Sequence, residues 1–446
     1  MSILKNKTLS ILLIFTFATA LVLTYSSQTV KAVTTLEVPT ASYPTIQSAL
    51  NAAKDGDTIK IASGTYNENI NYDGYALAVS SGLSQPKSGI TLQGEAGTII
   101  NGAVTLLYLK QFKIEGLTVT GDLTLGDCKA YGYLSYSVVS NVQVGSILSI
   151  GGPYNTVVDS QVKMLILKGA NTKMEFPAYN TNVENNQLRG LAIQAGSHSN
   201  TIKGNTIAHG ETGISEEPSK TYYTTGNNQF INNTIANNNV GIYLYCSTGG
   251  NGAASHSADQ LIQNIIRDNA VGLTLSASSQ FVVGNIIYHN DFFNNGVQAK
   301  INNPVTNVWD DGARKGNYWS DYTGLDSNGD GVGDTPYVIN AENSDNYPLM
   351  HPYSAPNVPA PTPSVTPSPA PSSANPPQNP SPSPSPTDSI QAQQPSSSPS
   401  PTQSISTGAN QEQNSVIPEL TPIIALVALA AASLGAVIFK RKSSLF

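Results

Sequence analysis

TIKGNTIAHGETGI (residues 201–214) is followed along the chain by FINNTIANNNVGI (residues 230–242) and LIQNIIRDNAVGL (residues 261–273). In each stretch an Asn precedes an apolar residue by two positions, and a Gly next to a second apolar residue follows. Apolar and polar residues alternate over short distances and show no helical period, which predicts β-strands. A repeat of about 24 residues that contains only strands predicts a parallel β-helix, in which each coil buries apolar side chains against its neighbours.

One inward position can be aligned through eight coils. The apolar residues assigned to it are Val119, Val144, Val162, Leu188, Ile207, Ile235, Ile266 and Ile287. Two positions earlier, the last five coils carry Asn186, Asn205, Asn233, Asn264 and Asn285. An Asn at a turn tolerates left-handed backbone, and its amide can bond to the identical amide one coil away, at about 4.8 Å. We therefore predict a structural Asn ladder inside the β-helix, the alternative being that Asn is simply a common turn residue.

Both ends of the chain differ in composition from the repeats. Residues 1–32 carry two Lys before an apolar run and end in Val-Lys-Ala, which is typical of a secretory signal peptide. Residues 421–439 are almost wholly apolar and precede a basic tail, 440–446, which predicts a transmembrane helix with a cytoplasmic C-terminus. The Pro- and Ser-rich residues 353–416 cannot bury a core and predict a disordered stalk. We expect the domain of residues 33–352 to be displayed at the cell surface, with the membrane as a partner.

The overall composition excludes nucleic acid as a partner. Charged residues make up 11% of the chain and the net charge is -7, so a basic stripe for nucleic acid is not expected.

The two cysteines lie far apart in the predicted β-helix. Cys128 and Cys246 fall in coils about five apart, which places them more than about 20 Å from one another. A disulfide needs Cα atoms within about 7 Å, so we predict two unpaired thiols.

Two segments have the features of end caps. In residues 43–70, Ile46, Ala49, Leu50 and Ala53 fall at helical spacing, so a helix can lay one apolar face on the first coil. The second segment, residues 303–352, contains both tryptophans and the sequence GNYWSDYTGLDSNGDGVGDTPYVINAENSDNYPLM. We predict that its aromatic side chains cover the last coil, because exposed ends of a solenoid are unfavourable.

The two caps and the Asn-rich coils between them resemble the NosD-like members of the pectin-lyase-like β-helix superfamily, of the archaeal cell-surface type. The resemblance covers most of residues 36–352 and specifies fold far better than activity. It implies an all-β, single-stranded, right-handed parallel β-helix with an N-terminal helical cap. It also implies a role in copper-site maturation, which the residues do not favour. Copper prefers Cys, Met and His, whereas this chain has four Met, no paired Cys motif and no His cluster.

One short segment has the spacing of a calcium loop. In the sequence DSNGDGVGD, oxygen ligands occupy positions 1, 3, 5, 7 and 9, and a Gly at position 6 allows a sharp turn. The candidate ligands are Asp326, Asn328, Asp330, the carbonyl of Val332, and Asp334. Tyr337 replaces the Glu that normally completes such a loop at position 12. We predict a structural Ca²⁺ site, with a metal-free turn as the alternative.

The remaining candidate site is a flank of the β-helix. Four insertions follow the same strand of the coil and should project from one side, at residues 126–137, 168–181, 215–229 and 245–260. Tyr rings can pack against sugar rings while carboxylates accept bonds from hydroxyl groups. The candidate glycan-contacting residues are Tyr222, Tyr223, Glu216, Glu217, His256 and Asp259.

The predicted function is therefore that of a cell-surface β-helix protein that binds glycan or envelope components, or has a structural or adhesive role. The alternative is a polysaccharide lyase or glycoside hydrolase that uses flank carboxylates, such as Glu217 and Asp259. No Gly-x-Ser-x-Gly or His-Glu-x-x-His motif is present, and no catalytic residue is assigned.

Overall fold

The structure is a computed structural model that describes residues 33–76, 86–127, 134–170, 176–194, 196–216, 225–246, 258–277, 284–302 and 306–354. In these residues the chain winds into a parallel β-helix, and each full coil contributes one strand to each of three faces, called faces 1, 2 and 3 in chain order. Neighbouring coils pair in parallel register throughout the three faces. The predicted all-β solenoid is therefore confirmed.

The strands are as follows. Face 1 consists of Thr35–Val38, Thr58–Ile61, Thr91–Gly94, Lys113–Glu115, Val138–Ser140, Thr156–Val158, Asn182–Glu184, Thr201–Lys203, Gln229–Ile231, Gln260–Ile262 and Ile286–Tyr288. Face 2 consists of Gly64–Tyr66, Thr98–Ile100, Thr118–Val119, the starts of Gln143–Ile150 and Gln161–Leu167, Gln187–Leu188, Thr206–Ala208, Thr234–Ala236, Ile265–Arg267, Asp291–Phe293 and Tyr318–Trp319. Face 3 consists of Ile70–Asp73, Val104–Leu107, Leu123–Leu125, the ends of the two long strands, Leu191–Ile193, Thr212–Glu216, Val240–Cys246, Val271–Ala277 and Val297–Asn302.

Smaller elements complete the described residues. Lys87–Ser88, Leu109–Lys110 and Leu134–Ser135 form a short parallel sheet, and Tyr337–Val338 pairs with Ser344–Asp345 in an antiparallel sheet. The two long strands, Gln143–Ile150 and Gln161–Leu167, run from face 2 into face 3 and so join these faces into one sheet.

The core follows from the alternation of apolar and polar residues, because inward and outward positions alternate along a strand. The predicted inward residues Val119 to Ile266 lie opposite one another on face 2 and are at most 5% exposed. The prediction is wrong for the last coil. Ile266 lies opposite Phe292, whereas Ile287 lies opposite Leu261 on face 1.

Asn side chains form ladders at the corners of the coil. The first ladder, between faces 1 and 2, consists of Asn186, Asn205, Asn233, Asn264, Asn290 and Asn317. From Asn205 onward, each Oδ1 accepts hydrogen bonds from the backbone N–H and from the Nδ2 of the preceding Asn, at 2.9–3.0 Å. Each ladder member therefore supplies the acceptor that two buried donors of the previous coil need.

Asn285 was predicted as the fifth member of this ladder, and this is wrong. It belongs to a second ladder, which lies just before face 1 and consists of Asn200, Asn228, Asp259, Asn285, Asn307 and Asn343. A third ladder, between faces 2 and 3, consists of Asn238, Asn269 and Asn295. Ladders of hydrogen-bonded Asn side chains thus connect the later coils at all three corners.

The helix Ile46–Ala52 lies against the first strands of the domain. Thr45 caps its N-terminus through a hydrogen bond to the Ser48 amide, and Ile46, Ala49 and Leu50 are buried. The Glu68 carboxylate accepts bonds from the amides of Ile46 and Gln47, which satisfies helix donors that have no partner within the helix.

The described chain ends in an aromatic cluster. The ring of Trp319 stacks on Phe292 and on Tyr337, with centroid distances of 4.3 and 4.2 Å. Its Nε1 donates a hydrogen bond of 2.9 Å to Asp345, which also terminates the first ladder by accepting from the Asn317 amide. Burial raises the pKa of Asp345 to about 6.

Several sequence predictions fall on residues that the structure does not describe. These are the signal peptide 1–32, the transmembrane helix 421–439, the tail 440–446, nearly all of the stalk 353–416, Cys128 and the side chain of Cys246. Within the described ranges, no helix has the length and hydropathy needed to cross a membrane. The predicted membrane anchor and unpaired thiols stay predictions.

Candidate functional site

A row of four aromatic rings runs across successive coils on the outside of the β-helix. Tyr136 stacks on Tyr154 with a centroid distance of 4.8 Å, and Tyr154 meets the edge of Tyr179 at 5.5 Å. Tyr179 in turn stacks on His198 at 5.2 Å. We call Tyr136, Tyr154, Tyr179 and His198 the aromatic row. It lies at the corner just before face 1, because each member precedes a face 1 strand by two or three residues.

The backbone fixes the positions of these rings. The amide of Tyr136 bonds to the Pro153 carbonyl, and the amide of Tyr154 bonds to the Tyr179 carbonyl, so the coils are tied together directly beneath the row. Tyr179 and His198 form a parallel bridge. Burial lowers the pKa of His198, which keeps its imidazole neutral at pH 7 and suited to stacking.

Tyr136 and Tyr154 combine a left-handed backbone with an exposed ring. Their φ angles are 54° and 59°, a conformation that this corner also imposes on Asn180 and Ser199 in the next two coils. The two Tyr residues are 52% and 41% exposed. The left-handed backbone therefore belongs to the corner of the coil, and it is the two exposed rings that mark a candidate surface.

The row lies on the flank that the sequence singled out. The predicted insertions follow face 3 strands and return to face 1, and Tyr136 and Tyr179 are within them. Tyr154 and His198 were missed as members of the flank because they lie outside the inserted segments. Their position two or three residues before a face 1 strand is the signal that would have found them. Tyr222, Tyr223, Glu217 and His256 lie outside the described residues.

Glu216 and Asp259, which were predicted to contact glycan, face the interior instead. They are 1% and 0% exposed, so a ligand on the surface cannot reach them, and this part of the prediction is wrong. Asp259 occupies a position in the second ladder, where its Oδ1 accepts a bond from the Asn228 amide. Asn228 donates its Nδ2 to Glu216 rather than to Asp259. Glu216 faces the interior because inward and outward positions alternate along strand Thr212–Glu216, and its last residue falls on an inward position.

The two acids form a buried pair. The pKa of Glu216 is raised well above its ordinary value, first by burial and then by the neighbouring Asp259 carboxyl group. Two carboxylates cannot both stay ionised at such close range in a site of low dielectric constant. Glu216 therefore holds a proton in the folded chain.

This pair predicts a pH-dependent stability. The folded chain retains a proton that the unfolded chain loses above a pKa of about 4.3, so this contribution to stability is complete below about pH 4 and declines as the pH rises. Glu216→Gln keeps an amide oxygen to accept the Asn228 bond and has no carboxyl proton, so we expect it to raise the free energy of unfolding relative to the wild type at pH 7 and to raise it less at pH 4. Urea unfolding at pH 4 and pH 7 measures this. A difference from the wild type that is the same at both pH values would refute it.

The predicted calcium loop is described, but its acids bond to the loop itself. The Asp326 carboxylate accepts bonds from the amides of Gly329, Asp330 and Gly331, at 2.7–3.2 Å. Hydrogen bonds from the Ser327 side chain and from the Ser327 amide lower the pKa of Asp334. In the described part of the chain, no three His, Cys, Asp or Glu side chains converge on a point. Calcium binding by residues 326–334 stays a prediction.

If the loop binds Ca²⁺, a millimolar concentration of CaCl₂ should raise the melting temperature by a few degrees relative to EDTA, because a ligand specific for the folded state stabilises it. The double variant Asp326→Asn, Asp330→Asn should abolish this difference. Identical melting curves of the wild type in CaCl₂ and EDTA would exclude the site.

The fold and the exterior row define a parallel β-helix protein with a candidate ligand surface on one flank. Residues 50–324, more than half of the chain, match the family described as periplasmic copper-binding protein (NosD), and the chain belongs to this family. It is 36% identical over 109 residues to the probable ABC transporter binding protein NosD of Stutzerimonas stutzeri, and 38% identical over 89 residues to that of Pseudomonas aeruginosa. These matches cover 24% and 20% of both this chain and the respective relative, so the chain spans at most about a quarter of their length.

Among solved structures, the chain is similar to the A-module of mannuronan C-5 epimerase AlgE6 from Azotobacter vinelandii, with a TM-score of 0.34 and 15% identity over 60% of this chain and 92% of that one. It is also similar to the PL6 family alginate lyase AlyGC, with a TM-score of 0.32 and 14% identity over 64% of this chain and 51% of the lyase.

The family name raises the question of copper. Copper(I) prefers sulfur ligands and copper(II) prefers imidazole nitrogens. In the described residues, no cluster of three His, Cys, Asp or Glu side chains exists, and His198 and His289 are each stacked against a Tyr ring. These residues do not fit a copper centre, and no copper chemistry is assigned to them.

Proposed function

We propose that this protein is an exported, surface-displayed β-helix that binds glycan on the aromatic row. The observation that carries the proposal is the row of four rings on consecutive coils, two of which, Tyr136 and Tyr154, are exposed. Exposed aromatic rings offer apolar contact area at a low cost in side-chain entropy, and sugar rings pack on such surfaces.

The spacing of the row favours a linear ligand. Successive coils of a β-helix are about 4.8 Å apart, so the row extends along the axis of the solenoid and not around it. The Lys110 ammonium group lies 5.8 Å from the Tyr136 ring centroid and adds a hydrogen-bond donor at one end. A glycan chain aligned with the axis can contact several rings at once, which supports binding of a polymer more than of a single sugar.

An enzymatic role has no comparable support. Of the acid pair that motivated the lyase or hydrolase alternative, Asp259 is buried in the core and Glu217 lies outside the described residues. General acid and base catalysis requires the two groups to reach the substrate. A binding role is therefore proposed in preference to an enzymatic one. Display at the cell surface, outside the membrane, is proposed because of the predicted signal peptide, stalk and anchor.

The double variant Tyr136→Asn, Tyr154→Asn tests this proposal. Asn accepts left-handed φ, so the variant removes both rings without adding backbone strain, and its melting temperature should equal or exceed that of the wild type. We expect glycan-array signals to fall about tenfold or more, because each ring contact contributes about 1 kcal/mol.

The matched control is Tyr243→Thr, Tyr245→Thr, which removes a stacked Tyr pair from a single face 3 strand. This control should retain the array signals. Undiminished signals for the Tyr136 and Tyr154 double variant, with an intact fold, would show that the row does not bind glycan.

A further inference from the structure

The first strand of face 1, Thr35–Val38, has one edge without a neighbouring strand. On its other edge it pairs in parallel with the next coil, where the Ala62 amide donates to the Val38 carbonyl at 2.8 Å. Only alternate residues bond to the neighbour in such a pair, so the N–H and C=O groups of Thr35 and Glu37 point to the open edge. Within the part of the chain that the structure describes, these four groups have no hydrogen-bond partner, and both residues are exposed.

The helix Ile46–Ala52 covers face 3 at this end of the β-helix and leaves face 1 open. Glu68, just before the first face 3 strand, accepts from the first helical amides, and Lys87, beyond that strand, donates to a carbonyl in the last helical turn at 3.3 Å. Between these two points, the side-chain amide of Gln47 exchanges hydrogen bonds of 2.7 and 3.0 Å with the Asn71 backbone, as a neighbouring strand would. The helix thus takes the place of a strand on face 3 only.

The open edge is complementary to a second copy of itself. When two such strands pair in antiparallel orientation about a two-fold axis at Leu36, Thr35 of each copy lies opposite Glu37 of the other. Each of these pairs exchanges two N–H···O=C bonds, so that all four unpaired groups of each copy gain a partner. The two Glu37 carboxylates do not lie directly opposite each other. Pro39 has no N–H with which to extend the ladder, which confines the pairing to this short match.

The rest of this end is complementary about the same axis. Residues 39–45 connect the strand Thr35–Val38 to the helix over face 3, and they therefore lie above face 2. A two-fold axis normal to face 1 exchanges the sides on which faces 2 and 3 lie. The helix of one copy is then opposite residues 39–45 of the other copy. Residues 39–42 and the helical residues Asn51 and Ala52 are exposed and available for this contact.

A second copy also suits this edge better than a free peptide does. A peptide would lose conformational entropy at every residue that it orders, in return for only four hydrogen bonds. A folded copy presents the strand already ordered. We propose that the protein forms a two-fold dimer through Thr35–Val38, in which face 1 continues from one copy into the other. This interface goes beyond glycan binding and does not rest on the aromatic row.

Sedimentation of the full-length protein in detergent, over a series of concentrations, tests the dimer. Glu37→Pro removes an N–H from the open edge and no bond within the chain, and strands tolerate Pro at such a position. Its dimer dissociation constant should rise about thirtyfold, because two hydrogen bonds are lost in each dimer, while its circular dichroism spectrum stays unchanged. The matched control Glu37→Thr removes the same charge but keeps the N–H, and it should form dimers as the wild type does.

Disulfide trapping tests the register. The background is Cys128→Ser, Cys246→Ser, which removes the natural thiols. A mixture of Thr35→Cys and Glu37→Cys proteins should form a cross-linked dimer on oxidation, since paired Cα atoms lie about 5.5 Å apart. Either protein alone should cross-link at least about tenfold less, because like residues are then more than about 7 Å apart.

Two results would overturn the proposal. One is that the wild type and Glu37→Pro have the same mass at every concentration, which would mean that the edge does not pair with a second copy. The other is that the single Cys variants cross-link as readily as their mixture. Any association through the predicted membrane anchor is common to all variants, so the difference between Glu37→Pro and Glu37→Thr isolates the strand edge.

Discussion

Replacing Trp319 with Ala is expected to lower the free energy of unfolding by about 3–5 kcal/mol. The side chain is 1% exposed and lies between the rings of Phe292 and Tyr337. Its removal opens a cavity at the end of the β-helix and takes one donor from the buried Asp345 carboxylate. Both effects act on the last coil, which has no further coil to pack against.

Urea unfolding followed by circular dichroism measures this effect. Tyr318→Ala is the matched control, because Tyr318 neighbours Trp319 in the same strand but points outward and is only partly buried, so it should cost about 1 kcal/mol or less. A Trp319 variant as stable as this control would contradict the assignment of the stack as the closure of the core.

Replacing Asn233 with Ala is expected to cost about 3–4 kcal/mol, because it breaks the first ladder at its centre. The Oδ1 of Asn233 accepts from both the amide and the Nδ2 of Asn205, and its own Nδ2 donates to the Ile202 carbonyl. Alanine leaves three buried polar groups without these partners, and each such group costs about 1–3 kcal/mol, partly relieved by local relaxation.

Asn239→Ala provides the control for this experiment. Asn239 lies in the following turn and is exposed, and its side chain donates a hydrogen bond to Glu211 at the surface. Its loss should change stability by less than about 0.5 kcal/mol. If the Asn233 variant unfolds at the same urea concentration as the Asn239 variant, the ladder does not stabilise the coils.

The sequence was sufficient to predict the β-helix because the alternation of apolar and polar residues indicates which side chains face the core. It was not sufficient to predict the register of the last coil. Two corners of each later coil carry Asn or Asp five residues apart, as in Asn228 and Asn233 or Asn285 and Asn290. In the last coil the apolar residue two positions after Asn290 is Phe292 rather than Leu or Ile. The segment with Asn285 and Ile287 therefore resembled the repeat more closely, although Ile287 belongs to face 1.

The candidate site was predictable only as a flank. Insertions after face 3 strands indicated the flank on which the aromatic row lies, but whether an acid there faces outward depends on where the strand ends. Glu216 is the last residue of its strand and still alternates inward, and Asp259 replaces an Asn in a ladder that the sequence analysis had not separated. The aromatic row was missed because its residues are about 18–25 positions apart and become neighbours only through the coil.

Tyrosine nitration of the full-length protein, with and without a saturating glycan identified on the array, tests the binding role of the aromatic row most directly. The account predicts that bound glycan protects Tyr136 and Tyr154, while Tyr243 and Tyr245 on face 3 are modified to the same extent in both samples. Equal modification of Tyr136 and Tyr154 with and without bound glycan would contradict it.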